Sequence, residues 1–394
     1  MKILRVISSM NPTAGGPCQG IRNTIPELTK LNIETEVVSL DDPGMPFLDK
    51  DSFKIIALGP AVGPWAYSAK LIPWLKENIA NYDAIIIHGL WLYHSYAVNK
   101  VVQKLKSVNI KNGSGLNVPK LYVMPHGMLD PYFQKAKERR LKAIRNWFYY
   151  KLIEAKVVND ADALLFTCQA ELELARLPFQ PYSPRNEINV GYGIASPPAV
   201  EENYFLAKFP QFVQKPYLLF LSRIHIKKGV DLLISAYREL QKQGFKLPAL
   251  VIAGPGMDTE YGEKLEKLAG SELNNSIFFP GMLKGDLKWG AFYGSEGFVL
   301  PSHQENFGIA VAEALACGVP VLISNQVNIW QEIQNGGGGF VENDDLQGTV
   351  NLLKKWSLLP EKMKQGMRIS AKKVFENNFS IEPAAKKLVE EVFV

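Results

Sequence analysis

The chain has 394 residues, of which 47% are hydrophobic and 21% are charged, a balance typical of a soluble globular protein with two domains. Its net charge of +5 suits anionic ligands or a membrane surface and gives no reason to expect a nucleic-acid partner. The three cysteines form no metal-site or disulfide pattern, and no run approaches the ~18 apolar residues of a membrane span, so we expect a cytoplasmic protein.

The first half of the chain alternates predicted strands with helices. Apolar, β-branched runs predict strands over 2–8, 35–40, 53–58, 84–88, 120–125, 163–167 and 188–190, and 20–31 has the apolar spacing of a helix. This order is typical of a doubly wound parallel sheet, in which ligands collect at the carboxyl ends of the strands. The loop after the first strand carries Gly15 and Gly16, which suit either a plain tight turn or a contact with phosphate or sugar.

Two predicted strands of this half end in a histidine followed by a glycine. They place His88 and His126 at the same edge of a parallel sheet. A single histidine at a strand end is usually structural, but two at equivalent positions favour a functional site. Of the two, we favour His126 as the site residue.

The stretch 130–156 predicts a helix rich in basic residues. Its apolar residues recur at spacings of three and four and predict a buried stripe opposite a basic, aromatic-flanked face: Leu141, Ile144, Phe148 and Leu152. A basic face is explained by solvation alone, or by attraction to an anionic lipid or acceptor. On the second interpretation, 133–156 would make peripheral contact with the inner face of an anionic membrane. We interpret Asp160-Ala161-Asp162, which resembles a metal-binding pattern, as a turn feature and assign no metal.

A glycine- and proline-rich connection over 191–198 marks the predicted domain boundary. We predict an N-terminal domain over 1–200, a linker over 201–215 and a C-terminal domain over 216–379. The last helix, about 380–394, is expected to pack back on the first domain.

The second half repeats the alternation, with strands predicted over 217–221, 249–253, 276–280, 298–301, 319–324 and 340–341, and a helix over 230–243. Arg223 and Lys228 flank the loop after the first of these strands. Two cations at a strand end, facing a helix N-terminus, suit a diphosphate. The Gly254-Pro255-Gly256 turn lacks the third glycine of the dinucleotide fingerprint.

The stretch PSHQENFGIAVAEALACGVPV, residues 301–321, joins a polar loop to an apolar helix. Glu305 lies in the loop, and Glu313 is the only ionisable residue of the helix. Free amides at the helix start can hold an anion, while carboxylates can accept hydroxyl groups, a combination that suits a sugar nucleotide. The alternative is a structural Glu313 paired with an arginine elsewhere in the chain.

Together these motifs resemble the retaining glycosyltransferases of family 4, whose α/β GT-B architecture has two Rossmann-like, doubly wound parallel-sheet domains facing a cleft. The resemblance rests on the stretches 219–237, 251–258, 278–282 and 301–321. In the first half it rests on the Gly15-Gly16 loop, on HGLW (88–91) and on HGMLDPY (126–132).

The resemblance implies roles for individual residues. Arg223 and Lys228 would hold the diphosphate, and Glu313 would accept ribose hydroxyls. Glu305 would hold the donor sugar, and His126 would lie beside it. The donor-binding residues that the resemblance implies are Gly15, Gly16, Gly254, Gly281, Met282, Asn306, Phe307, Gly308, Ile309 and Glu313; the catalytic ones are His126, Arg223, Lys228 and Glu305.

The implied reaction moves a sugar, with retention, from a nucleotide-diphosphate sugar to a glycan, lipid-linked or small-molecule acceptor in bacterial polysaccharide or glycolipid biosynthesis. A UDP-sugar is the favoured donor, and neither a metal nor another cofactor is implied. Two alternatives stay open: a sugar-nucleotide epimerase or hydrolase on the same fold, and a non-catalytic sugar-nucleotide-binding subunit. No water-activating acid or base is evident for the first, and the intact charged residues argue against the second.

Overall fold

The computed structural model describes residues 1–112, 117–136, 139–200, 203–213, 215–270 and 276–393. The chain divides into two compact units, Met1–Gly193 with Ile381–Val394, and Ile194–Ser380. The division therefore lies after Gly193, several residues before the predicted boundary at 200.

The first unit is built on a seven-stranded sheet. Its strands are β1 (Lys2–Ile7), β2 (Glu34–Ser39), β3 (Ile55–Ala57), β4 (Ala84–His88), β5 (Lys120–Met124), β6 (Ala163–Phe166) and β7 (Glu187–Asn189). They lie in the order β3-β2-β1-β4-β5-β6-β7, and every neighbouring pair is parallel. Strand β4 is buried along its whole length, as expected for a parallel sheet covered by helices on both faces.

The helices of this unit follow their strands in alternation. They are α1 (Gly16–Lys30), α2 (Leu71–Asn78), α3 (Tyr93–Asn112), α4 (Tyr132–Lys135), α5 (Arg140–Tyr149), α6 (Ala155–Asp160) and α7 (Gln169–Ala175), with a π-helical turn over Tyr150–Glu154. Among the described residues, none of the helices combines the length and the apolar character that crossing a membrane requires.

The second unit contains a six-stranded sheet that is also parallel. Its strands are β8 (Tyr217–Leu221), β9 (Ala249–Ala253), β10 (Ile277–Gly281), β11 (Gly297–Leu300), β12 (Val321–Ser324) and β13 (Gly339–Glu342), in the order β10-β9-β8-β11-β12-β13. Its helices are α8 (Asn203–Lys208), α9 (Val230–Lys242), α10 (Glu260–Ala269), α11 (Asp286–Tyr293), α12 (Ile309–Ala316), α13 (Trp330–Asn335), α14 (Leu346–Leu358) and α15 (Glu361–Asn378).

The last helix, α16 (Ile381–Val392), belongs to the first unit and packs against α1. The Tyr122 hydroxyl donates a hydrogen bond to the Val392 carbonyl oxygen (2.7 Å), which fastens the end of α16 to β5. The chain therefore returns to its first unit after completing the second.

The segment predicted as a linker, 201–215, is largely folded into the second unit. Residues 201, 202 and 214 lie outside the described residues, while the rest contributes α8 and a 3₁₀ turn over Pro210–Phe212. The rings of Phe205 and Phe212 are buried, with centroids 5.4 and 5.2 Å from that of Tyr217. Burial of these aromatic side chains against β8 explains why the segment is structured.

The prediction of a buried stripe in 133–156 is wrong. Its four side chains are 56–85% exposed: Leu141, Ile144, Phe148 and Leu152. Helix α5 instead buries its opposite side through Ala143 and Asn146, and Tyr150 follows in the π-helical turn with no exposure. The periodicity identified the apolar stripe, but the small Ala143 side chain allows closer packing on the other side. Residues 137 and 138 of this segment lie outside the described residues.

Both sheets reverse their winding beside their first strand, between β1 and β4 and between β8 and β11. The loops that leave two such neighbouring strands run in opposite directions, and a crevice forms between them. These two switch points are where a ligand site is expected in each unit.

Candidate functional site

The loop after β8 carries both predicted cations of the second unit. Arg223 is exposed, whereas Lys228 is 8% exposed and ends a 3₁₀ turn over Ile226–Lys228. Gly229 follows in the left-handed conformation (φ 66°), and a side-chain carbon there would lie 2.1 Å from the Pro301 carbonyl oxygen. Glycine at this position therefore lets the loop pack directly against the end of β11.

Lys228 forms an ion pair with Glu305, which lies in the loop between β11 and α12. The Glu305 N–H donates to the Gln326 carbonyl oxygen (2.9 Å), and its own carbonyl accepts from the Asn328 N–H (3.0 Å). The Lys228 and Glu305 side chains are 11% and 23% exposed, so their attraction is screened less than that of a surface pair. The fold thus brings together two predicted residues that are 77 positions apart.

Helix α12 starts beside this ion pair. Gly308 is in the left-handed conformation (φ 77°) and immediately precedes Ile309, the first helical residue. A side-chain carbon on Gly308 would lie 3.1 Å from Val327 Cγ1, so the turn fits closely against the neighbouring loop. Phe307 is 6% exposed and packs edge-on against Phe379. Because the first N–H groups of a helix have no intrahelical acceptor, this turn can bind an anion.

Glu313, in the same helix, is paired with Lys288. Lys288 Nζ lies 2.6 Å from Glu313 Oε1, and the two side chains are 22% and 13% exposed. Burial raises the pKa of the Glu313 carboxyl, and the nearby Lys288 charge opposes that shift. The partner of this acid is therefore a lysine, where the structural alternative had an arginine.

Sequence reasoning missed Lys288. No spacing relates it to Glu313, which lies 25 positions later. The one available signal is its place in the first turn of α11, the helix that follows β10, since such turns lie at the carboxyl edge of a parallel sheet.

Three further predicted residues of this unit, Gly254, Gly281 and Met282, lie at the ends of β9 and β10. Gly254 has a φ of 150°, and a side-chain carbon there would lie 1.7 Å from the Ser222 carbonyl oxygen. Its N–H donates to the Gly281 carbonyl oxygen (2.9 Å). A side-chain carbon on Gly281 would meet nothing within 4 Å, and Met282 is 58% exposed. The backbone at Gly281 and Met282 is therefore open to an approaching ligand.

In the first unit, three polar side chains form a chain that runs from the middle of β1 to the carboxyl edge of the sheet; Arg5 and His88 are buried, and His126 is half-buried. Arg5 Nη1 lies 3.4 Å from His88 Nε2, and His88 Nδ1 lies 2.9 Å from His126 Nε2. The two imidazole rings are stacked with centroids 5.2 Å apart. A further buried histidine, His94, contacts the His88 carbonyl oxygen through Nε2 (2.9 Å). The two histidines expected to be neighbours are thus in direct contact.

Burial keeps the histidines of this cluster neutral. It lowers the pKa of His126 to about 3 and that of His94 to about 4, and the Arg5 charge opposes protonation of His126 further. Burial followed by the charge of Arg5 holds the pKa of His88 well below its ordinary value. Burial also lowers the pKa of Arg5 to about 10, which leaves its guanidinium charged at neutral pH.

Arg5 is the residue of this unit that sequence reasoning missed. It lies in the middle of β1 and is 3% exposed, and it lines a cavity of about 30 Å³ together with His88, His126 and Tyr192. A single charged residue inside an apolar strand run, KILRVI, was the available signal.

The predicted glycine loop lies at the start of α1. Gly15 has a φ of 99°, and a side-chain carbon there would meet nothing within 4 Å. The Gly16 carbonyl oxygen accepts a hydrogen bond from the Tyr192 hydroxyl (2.7 Å). Gly15 is therefore required by the backbone conformation, and the space beside it is open, which agrees equally with a tight turn and with a ligand contact.

Within the described residues, no group of three or more His, Cys, Asp or Glu side chains is arranged to hold a metal ion. Asp162 of the Asp160-Ala161-Asp162 motif accepts a hydrogen bond from the Leu121 N–H (2.8 Å) and pairs with Lys106 (3.1 Å). These contacts agree with its interpretation as a turn feature.

Comparison with protein families finds one match in the second unit. Residues 204–374 match the family model of Glycosyl transferases group 1. Among curated proteins, the sulfoquinovosyl transferase SQD2 of Arabidopsis thaliana is 34% identical over 145 residues, 36% of this chain and 26% of that protein. The capsular polysaccharide biosynthesis glycosyltransferase CapM of Staphylococcus aureus is 25% identical over 185 residues, 46% of this chain and 47% of that protein. The matched stretches thus span less than half of these relatives.

Solved structures match the whole chain. Sucrose-phosphate synthase from Thermosynechococcus elongatus superposes with a TM-score of 0.73 at 18% identity, covering 100% of this chain and 99% of that one. HepE from Anabaena, in complex with UDP and glucose, superposes with a TM-score of 0.71 at 16% identity, with coverages of 100% and 99%. At these identities the likeness establishes the fold alone. The chain therefore has the GT-B fold, and within it residues 204–374 match the model of the glycosyl transferases group 1 family.

Proposed function

We propose that the protein is a retaining glycosyltransferase of family 4 that uses a nucleotide-diphosphate sugar as donor, with a UDP-sugar as the favoured donor. The observation that carries the proposal is the shielded Lys228–Glu305 pair beside the start of α12, at the switch point between β8 and β11. A cation, a carboxylate and the first amides of α12 at one crevice match the diphosphate and the sugar hydroxyls of such a donor. The structural neighbour HepE, which was solved in complex with UDP and glucose, supports the choice of donor.

Each part of the donor has a proposed partner. Arg223, Lys228 and the first amides of α12 bind the diphosphate. Glu313, held by Lys288, accepts the ribose hydroxyls through its second carboxylate oxygen. Glu305 binds the sugar hydroxyls. The open backbone at Gly281 and Met282 contacts the base.

The proposed chemistry is substitution at the anomeric carbon of the donor sugar. The bond from this carbon to the diphosphate oxygen breaks while a bond to the acceptor oxygen forms on the same face. The acceptor proton passes to a phosphate oxygen of the leaving diphosphate. Negative charge develops on that diphosphate, so preorganised cations and amides lower the barrier. We propose no metal, because Arg223 and Lys228 supply positive charge where the charge develops.

Retention in glycosidases commonly relies on two carboxyl groups about 5–5.5 Å apart, one of which acts as the nucleophile. In this protein Glu305 forms an ion pair with Lys228, and Glu313 forms one with Lys288. This pairing favours binding roles for both carboxylates over nucleophilic attack. It also disfavours the hydrolase alternative, which needs an activated water.

For the first unit we propose that His126 hydrogen-bonds the sugar and that the Gly15-Gly16 loop contacts the diphosphate and the acceptor. The acceptor is proposed to be a glycan or a lipid-linked sugar of polysaccharide or glycolipid biosynthesis. Two relatives, the sulfoquinovosyl transferase SQD2 and the capsular polysaccharide biosynthesis glycosyltransferase CapM, support this class.

A thermal-shift panel of UDP-, GDP- and ADP-sugars tests the donor, because a ligand that binds the folded state raises the melting temperature. We then expect Arg223→Ala and Lys228→Ala to lower turnover at least ~100-fold, the scale for losing one preorganised stabiliser. Lys264→Ala removes an exposed lysine of α10 and serves as the matched control. Near-normal turnover in both site variants would overturn the assignment, and donor cleavage without any transfer would favour the hydrolase.

We also propose that α5 and the following turn contact an anionic membrane, which agrees with a lipid-linked acceptor. The exposed apolar side chains of this segment are flanked by exposed cations, Arg140, Lys142, Arg145 and Lys151. Residues 139–153 contain no acidic residue, so nothing in this run offsets the positive charge. Four cations near an anionic surface contribute roughly 4 kcal/mol, at about 1 kcal/mol each, and the apolar side chains add their burial.

Co-sedimentation with phosphatidylglycerol vesicles tests this surface. We expect binding that weakens as salt rises, and weaker binding for Ile144→Ser/Phe148→Ser. The control Leu358→Ser/Ile369→Ser removes similarly exposed apolar side chains, 65% and 62% exposed, from α14 and α15. Equal loss in both double variants, or self-association of the protein in place of vesicle binding, would contradict the membrane assignment.

A further inference from the structure

In the chain Arg5–His88–His126, the chemistry of the side chains decides which atom donates each hydrogen bond. A guanidinium carries only donors, so Arg5 Nη1–H must donate to His88 Nε2. A neutral imidazole carries a single proton, and His88 therefore holds it on Nδ1. That Nδ1–H can only donate to His126 Nε2, 2.9 Å away. By the same reasoning, neutral His126 holds its own proton on Nδ1.

We propose that Arg5 and His88 are positioning residues that lock His126 in the Nδ1–H tautomer, so that it presents a hydrogen-bond donor to a ligand oxygen. The identity of that oxygen, on the donor sugar or the acceptor, rests on the proposed function; the tautomer does not. Within the described residues no hydrogen bond reaches His126 Nδ1, and the residue is only half-buried, so this donor is available.

The surroundings of Arg5 agree with this role. Its Nε and Nη2 atoms have no hydrogen-bond partner among the described residues, although the side chain is 3% exposed. Burying a charge without a carboxylate partner is costly, so a purely structural role is a poor explanation of the residue. Its described side-chain hydrogen bond instead goes to the imidazole that contacts His126.

The Nδ1–H tautomer of His126 limits what this residue can do in the reaction. A histidine that already carries its proton on the exposed nitrogen cannot accept the acceptor's proton there. Protonation of both nitrogens is opposed by burial and by the Arg5 charge, which hold the pKa of His126 low. His126 therefore acts as a donor that binds and orients an oxygen, and the acceptor proton leaves by another route.

Two other histidines, His94 in the first unit and His225 in the second, supply internal references. His94 Nε2 contacts a carbonyl oxygen, which can only accept, so His94 carries its proton on Nε2. His225 accepts the Lys227 N–H at Nδ1 (3.1 Å), which leaves Nε2 protonated in its neutral form. The chain has five histidines, so each signal can be assigned by a single substitution. The expected pattern is Nδ1–H for His88 and His126 and Nε2–H for His94 and His225.

Long-range ¹H–¹⁵N correlation spectra of ¹⁵N-histidine-labelled protein at pH 8 read the tautomers directly, without any ligand. In Arg5→Met, which removes the donor, we expect His88 and His126 to shift toward the Nε2–H form, with His94 unchanged. Arg5→Lys keeps a donor and should preserve the wild-type pattern. An Nε2–H tautomer at His126 in the wild-type protein would overturn the proposal even if the variants fail to fold.

A kinetic measurement separates this proposal from the proposed function. With a donor found by thermal shift, Arg5→Met should lower kcat about tenfold, the scale for losing one hydrogen bond in the transition state, and Arg5→Lys should recover most of that loss. If the spectra are as expected but the protein transfers no sugar, the proposed control of the His126 tautomer is supported and the proposed function is overturned. Unchanged tautomers in Arg5→Met would overturn the lock, whatever the protein catalyses.

Discussion

Glu305→Gln is expected to strengthen the binding of a nucleoside diphosphate, although it alters a proposed active-site residue. In the structure Lys228 is already paired with the Glu305 carboxylate. If Lys228 binds the diphosphate, it must exchange that carboxylate for a phosphate oxygen. The uncharged glutamine keeps the size of the side chain but weakens the bond that must be broken.

The size of the effect follows from the exposure of the pair. A hydrogen bond to a charged group contributes about 1.5–3 kcal/mol when buried, and an exposed ion pair about 0.2–1 kcal/mol. With Lys228 and Glu305 11% and 23% exposed, the bond falls between these ranges. We take about 1 kcal/mol as the part lost with glutamine, which makes UDP bind about fivefold more tightly. Lys228→Met instead loses a charge-assisted contact of about 2 kcal/mol and should weaken UDP about 30-fold.

Without ligand, the weaker attraction between residue 305 and Lys228 should lower the free energy of unfolding by a similar amount. Glu305→Gln leaves Lys228 buried with a weaker partner, so the second unit should melt about 2–4 °C lower. Isothermal titration with UDP and thermal unfolding measure the two quantities on the same samples. If another base gives the larger thermal shift, that nucleoside diphosphate takes the place of UDP.

Glu296→Gln is the matched control. Glu296 directly precedes β11, at the opposite end of the strand from Glu305, and its Oε2 lies 3.2 Å from Lys364 Nζ. The exposures of this pair, 28% and 16%, resemble those of the site pair. This variant should lower the melting temperature to a similar extent and leave UDP affinity unchanged. If Glu305→Gln weakens UDP as much as Lys228→Met does, Glu305 holds Lys228 in place for the ligand, and the competition argument is refuted.

Three further predictions concern stability. Lys288→Met should destabilise the second unit by about 2 kcal/mol in urea denaturation, because it leaves the largely buried Glu313 carboxylate without its cation. The double variant Lys288→Met/Glu313→Gln should recover most of that loss. Burial raises the pKa of Glu154 from 4.5 to about 7, so its stabilising contribution is complete below pH 4.5 and lost as pH rises through 7. The unfolding free energy should therefore fall by about 3 kcal/mol between pH 5 and 8 in the wild type, and this loss should disappear in Glu154→Gln. Gly229→Ala forces a side chain into a left-handed residue 2.1 Å from a carbonyl and should lower the melting temperature by roughly 4–8 °C, whereas Gly366→Ala, on open helix surface, should not lower it.

The sequence predicted the parallel-sheet elements well because their signals are local. Strands β4, β8 and β9 have the bounds expected from their apolar runs, and glycine or a polar residue follows each one. The strand ends in turn located the loops that carry Arg223 and Lys228. Adjacency to a strand end is enough to place such residues at the carboxyl edge of a sheet.

Predictions that required knowledge of what packs on an element were wrong or incomplete. The spacing of Leu141, Ile144, Phe148 and Leu152 identified a stripe but not whether it faces the core, because neither periodicity nor composition says which side meets the sheet. The linker prediction missed that Phe205 and Phe212 bury their rings against Tyr217. In both cases tertiary packing, which is non-local, decided the outcome.

In both units polar residues lie on, or just after, the two strands that flank the switch point. In the second unit they follow the strands, whereas in the first unit two of them lie within the strands. In the second unit Lys228 and Glu305 follow β8 and β11, the strands that flank the switch point. In the first unit Arg5 and His88 lie on β1 and β4, the equivalent strands, and His126 follows the next one, β5. A sequence motif can identify residues that share one loop. It cannot identify a contact between side chains on two different strands, because such a contact depends on the order of the strands in the sheet. Arg5 was therefore the hardest residue to find from the sequence, and the strand order that places β1 beside β4 is what gives it a role.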